Sequence, residues 1–91
     1  MAKVWVEGRL NYNSRNNRYG LLVSDLWENE GFHCGDYLQV KIDGKWLDTR
    51  FEMDWFTSKG IWYLTGTEIR GDGIGNIRAR ILRSTRSSVN V

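Results

Sequence analysis

A chain of 91 residues has room for one domain, and at this size folding buries only roughly 60 to 65% of the surface that the unfolded chain exposes. Its one cysteine, Cys34, and one histidine, His33, exclude an intramolecular disulfide and a four-ligand structural zinc site, and no stretch nears the roughly 18 apolar residues of a membrane helix. The net charge of +2 hides a pattern: residues 1–23 carry +3 and residues 69–91 carry +4, while residues 24–54 carry −5.

The first predicted element runs from Lys3 to Tyr12. Val4, Val6, Leu10 and Tyr12 alternate with Lys3, Trp5, Glu7, Arg9 and Asn11, which is the period of a half-buried strand. Asn13 to Asn17 is a polar hairpin loop, because asparagine tolerates the left-handed conformation such loops need. Arg18 to Val23 returns as a second strand. Ser24 to Asp36 has no clean period and reads as a long surface excursion with room for one helical turn.

Tyr37 to Ile42 and Lys45 to Trp55 flank Asp43-Gly44, the strongest two-residue hairpin signal in the sequence. A two-residue turn fixes the register, so Ile42 should face Lys45, Val40 Leu47 and Leu38 Thr49. On the other face Lys41 should lie opposite Trp46, Gln39 opposite Asp48 and Tyr37 opposite Arg50. Thr57 to Gly60 turns into a strand at Ile61 to Thr65, Gly66 to Gly75 is a loop, and Asn76 to Leu82 closes the sheet. In that last strand Ile77, Ala79 and Ile81 face inward, with Arg78 and Arg80 outward. The expected architecture is all-β: a small SH3-like, partly open barrel of five to six antiparallel strands over residues 1–82, followed by a flexible basic tail at 83–91.

No catalytic constellation emerges. His33 and Cys34 could in principle make a thiolate pair, but neighbours in an extended chain point to opposite sides, and Cys34 is expected as a small buried apolar group. Gly71-Asp72-Gly73-Ile74-Gly75 lacks the following helix that a phosphate loop requires. Glu52 and Asp54 alternate with inward Phe51 and Met53, so they read as a solvated face. The outward aromatics Trp5, Tyr37, Trp46 and Tyr63, interleaved with Lys41 and Arg50, are either a binding ladder or a face lidded by another part of the chain.

Several segments in order carry a resemblance: Gly8-Arg9-Leu10-Asn11-Tyr12-Asn13, Arg18-Tyr19-Gly20, Gly31-Phe32-His33-Cys34-Gly35-Asp36, Asp43-Gly44-Lys45-Trp46 with Thr49-Arg50, Trp62-Tyr63-Leu64 and Ile77-Arg78-Ala79-Arg80-Ile81. Together they resemble a family of small bacterial proteins, the domain of unknown function 5348, whose members look like cargo of plasmids, phages and integrated elements. The resemblance implies no activity and assigns no functional residue. The strand plan is also similar to that of SH3-like and Tudor-like barrels, which by itself does not give function.

The expected function is therefore a non-enzymatic binding or adaptor module, encoded by a mobile element, that docks on a protein through Trp46, Arg50, Tyr37, Lys41, Trp5 and Tyr63. The acids Asp25, Glu28, Glu30 and Asp36 could meet a basic partner, such as the nucleic-acid channel of a host enzyme, as an inhibitor would. The rival reading is a nucleic-acid module in which Arg78, Arg80, Arg83, Arg9 and Arg18 follow phosphates while Trp46 or Tyr63 stacks a base. No cofactor and no metal are expected. The single thiol and the absence of a signal-like apolar run among the first twenty residues point to the cytoplasm, with no membrane partner and a monomer or weak homodimer.

Overall fold

The computed structural model describes residues 3–56 and 58–84. They form one antiparallel sheet of seven strands: β1 (Lys3–Asn13), β2 (Arg18–Val23), β3 (Leu26–Asn29), β4 (Tyr37–Ile42), β5 (Lys45–Asp54), β6 (Ile61–Leu64) and β7 (Arg78–Ser84). A single turn of 3-10 helix covers Gly71–Ile74. The order across the sheet is β3-β2-β1-β7-β4-β5-β6, and β3 and β6 do not pair with each other, so the sheet is open.

The hairpin around Asp43-Gly44 has the register that its turn dictates, from Ile42↔Lys45 to Tyr37↔Arg50. Both turn residues have positive φ, 51° and 78°, the twist that matches a right-handed two-stranded ribbon. The β1–β2 tip is held by its asparagines. Asn13 accepts the Arg15 N–H at 3.1 Å and donates to the Glu30 carbonyl at 2.9 Å, and Asn16 donates to the same carbonyl at 2.9 Å.

There are seven strands rather than five to six, and the addition is β3, inside the segment expected to be an excursion. Ser24 and Asp25 both adopt positive φ, 51° and 68°, and close a second two-residue hairpin without a glycine to announce it. The expected helical turn does not occur there. Beyond β3 the chain drives Phe32 into the core, where 1% of it is exposed and its N–H donates to the Tyr19 carbonyl at 2.8 Å.

The last strand also outruns the expected boundary at Leu82. Arg83 pairs with Val4 and Ser84 with Lys3, so the sheet continues two residues into the segment read as tail. Residues 85–91 lie outside the described residues.

Alternation along the strands selects the core. Leu10, Leu21, Leu38, Val40, Phe51, Leu64, Ile74 and Ala79 are fully buried, with Tyr19 and Phe32 nearly so. Each of the buried Val, Leu, Ile and Phe side chains contributes roughly 1.5 to 3 kcal/mol by leaving water. Val4 and Tyr12, expected inward with Leu10, are 41% and 49% exposed, because an eleven-residue strand overhangs a core this small at both ends. Thr49, the one polar residue inside the β4–β5 pair, is satisfied by donating its hydroxyl to the Thr65 carbonyl at 2.7 Å.

Candidate functional site

Two surfaces collect chemistry, one on each side of the sheet. On the outer side β1, β7, β4 and β5 bring together Trp5, Arg80, Lys41 and Trp46, as strand alternation requires. The Arg80 guanidinium carbon lies 4.3 Å from the centre of the Trp5 ring and 4.2 Å from that of Trp46, and its Nε donates to Gln39 Oε1 at 2.9 Å. Lys41 Nζ stands 5.5 Å from the Trp46 ring. Each such contact contributes about 0.5 to 2 kcal/mol, depending on desolvation.

The network continues across the sheet. Gln39 donates from Nε2 to Asp48 Oδ1 at 2.8 Å, and the Tyr37 hydroxyl donates to the same oxygen at 2.5 Å. The amide of Gln39 and then the Tyr37 hydroxyl hold the Asp48 carboxyl below its ordinary range, and Asp48 in turn pushes the Tyr37 phenol up. Glu7 is lowered chiefly by its ion-paired hydrogen bond from Arg78. Trp5 and Tyr37 remain 38% and 39% exposed, while Trp46 is half-buried under the Arg80 and Lys41 contacts.

Two of the expected partner-binding residues stand apart from this stack. Arg50 is exposed beside Tyr37, in a small polar depression of about 370 Å³ shared with Asp48 and Thr65. Tyr63 lies across from Glu52 on β6, at the sheet edge, with the Arg70 guanidinium 5.9 Å from its ring.

The five arginines named for phosphate contact are each engaged within the chain. Arg9 donates to the Asn76 carbonyl at 3.1 Å, Arg18 to the Phe32 carbonyl at 3.1 Å, and Arg78 and Arg83 form ion pairs with Glu7 and Glu28. Arg80 and Arg83 also point to opposite faces, being three apart on one strand. The acidic set is partly spent as well: Glu28 holds Arg83, and Asp36 accepts the His33 N–H at 2.8 Å.

The second surface is a groove of about 990 Å³ between the β1–β2 tip and the β5–β6 tip. Tyr12, Tyr19, Trp55 and Trp62 supply its aromatic lining, with Arg18 and Lys59 among its cations. Tyr12 and Tyr19 meet edge to face at 5.3 Å, and the Tyr19 hydroxyl donates to the Gly71 carbonyl at 3.0 Å. Burial, then the Asp72 charge, pushes the Tyr19 phenol up. Arg18 covers Trp62 at 5.5 Å, and Trp62 Nε1 donates to the Asn17 carbonyl at 3.4 Å, which ties the first hairpin to β6.

Sequence periodicity does not reveal this groove. Its residues come from four separate segments, and the available signal is only that aromatics sit next to both hairpin tips.

The structure corrects the expectation for Cys34, which is exposed in the groove wall rather than packed in the core. Phe32 takes the buried place, and the turn at His33 to Asp36 carries the thiol outward. Cys34→Ser should therefore change stability by no more than about 0.5 kcal/mol, as surface substitutions do. Thermal unfolding checks this, and a loss above about 1 kcal/mol would restore a packing role for the thiol.

Among the described residues no group of three or more His, Cys, Asp or Glu could hold a metal ion. No helix among them is long and apolar enough to cross a membrane. The family model described as a domain of unknown function (DUF5348) matches residues 8–81. No curated protein and no solved structure matches the chain.

Proposed function

The chain belongs to the DUF5348 family, whose description states no activity, and we propose from the geometry that it is a non-catalytic docking module, SH3-like in strand plan, that recognises a protein through the outer face of its sheet. One observation carries this reading: the Arg80 guanidinium is clamped between Trp5 and Trp46 and anchored by Gln39. Tryptophan and arginine are the side chains most enriched at interface hot spots. Here they are already fixed, so docking would cost little further side-chain entropy.

Nucleic acid is the weaker reading. Phosphate tracking needs cations free to face one backbone, whereas the five arginines are paired or stacked and divide between faces. A reducing compartment suits an accessible lone thiol.

The test is differential capture from bacterial lysate at moderate salt, comparing the native chain with Trp46→Ala and Arg50→Ala. Trp46→Ala should cost about 2 kcal/mol of stability, because the ring is half-buried and carries two cation contacts. It should nevertheless stay folded and lose a protein that the native chain retains. A captured set indifferent to both substitutions would sink the outer-face reading, and tight binding to an oligonucleotide at low salt would replace it with the nucleic-acid one.

A further inference from the structure

The end of β5 presents the barest apolar surface on the described chain. Phe56 is 95% exposed, more than any other large hydrophobic residue described, and Trp55 beside it is 68% exposed. This knob is held in place: the Phe56 N–H donates to Asp54 Oδ1 at 3.0 Å, and Asp54 Oδ2 is paired with Arg70 at 2.7 Å. Immediately beside it lies the aromatic groove, of which Trp55 forms a wall and Phe56 does not. Knob and hole are thus neighbours on one chain.

The charges of the groove indicate what fills it. Lys59, on the β5–β6 turn, and Asp72, on the 3-10 helix, both line it. Neither forms an ion pair with another side chain among the described residues. A nucleic acid or an acidic peptide would be repelled by Asp72, and a basic peptide by Lys59 and Arg18. A surface that carries charges of both signs with no ion pair between them, beside its own apolar knob, is complementary to itself, as an isologous interface must be.

We infer that the groove binds a second copy of this chain. In a two-fold dimer the Trp55-Phe56 knob of each copy enters the groove of the other, and Lys59 of each copy meets Asp72 of its mate. The interface belongs to the small, weak class, with dissociation in the micromolar range or above. It leaves the outer sheet face free, so it stands independently of the docking function proposed there.

Sedimentation equilibrium of the full chain over a wide concentration range tests the inference. The native chain should dimerise, and Phe56→Asp, which alters a residue outside the core, should weaken the dimer by about 30-fold or more while keeping the native melting temperature. Lys59→Asp and Asp72→Lys should each weaken it by about 10-fold, and the double variant should recover to within about threefold of native, because reversal restores both pairs. A native chain monomeric at every concentration would overturn the inference. So would a dimer unaffected by Phe56→Asp, or a double variant no better than the singles.

Discussion

Phe51→Ala is expected to remove about 3 to 5 kcal/mol of stability, the range for truncating a buried phenylalanine. Phe51 is fully buried on β5 and joins most of the aromatic core: its ring stacks on Phe32 at 4.8 Å and on Tyr19 at 6.4 Å, and meets Trp62 edge-on at 6.0 Å. Its backbone is engaged as well, with the N–H donating to the Asp36 carbonyl at 3.1 Å and the carbonyl accepting the Gly35 N–H at 2.7 Å. Deleting the ring therefore opens a cavity shared by β2, β5, β6 and the segment after β3. Little can collapse into it, since the main chain on both sides is already committed.

For a domain of this size each kcal/mol shifts the melting temperature by roughly 4 to 8 °C, so a fall of at least about 12 °C should appear. Phe56→Ala, five residues along and almost fully exposed, is the internal control and should stay within about 0.5 kcal/mol of native. Similar small losses for both would mean that the aromatic cluster is not the core.

Legibility in the sequence followed the turns. Asp43-Gly44 supplies positive φ at both positions with a residue pair known for it, so the whole β4–β5 register could be written down, and with it the opposition of Trp46 to Lys41 and of Tyr37 to Arg50. Ser24-Asp25 makes the same kind of turn without the glycine that signals it, so β3 is not legible in the sequence. Outward orientation was legible for Trp5, Trp46 and Arg80, but not that one guanidinium lies between two rings from different strands. That depends on how far the twist of the sheet brings diagonal neighbours together. The groove was less legible still, since it exists only once two hairpin tips lie against His33-Cys34 and Gly71-Asp72.

Gly8→Ala should cost about 2 to 4 kcal/mol, although glycine in a strand is ordinarily a weakness that alanine repairs. At Gly8 β1 pairs with Ala79 of β7 on one side, while its pairing with β2 begins only at Arg9↔Leu22. A β-carbon added at Gly8 would overlap the Leu22 carbonyl oxygen and lie 3.0 Å from both the Leu22 carbonyl carbon and Val23 Cγ2. Side chains leave a strand perpendicular to the sheet. The end of β2 therefore passes over the face of β1 at this point rather than beside it. Gly20, whose β-carbon would overlap the Asn29 carbonyl oxygen, performs the same service between β2 and β3. These two close approaches curl an open sheet around its core, so alanine at Gly8 must push two backbones apart and not merely rotate a side chain. Gly73→Ala is the matched control: nothing lies within 4 Å of its added β-carbon, and its φ is not positive, so it should be nearly neutral. Urea unfolding of the two variants decides the matter. A Gly8→Ala chain with the native midpoint would show that β2 does not need to cross β1 so closely, and the curl would have to be attributed to other contacts.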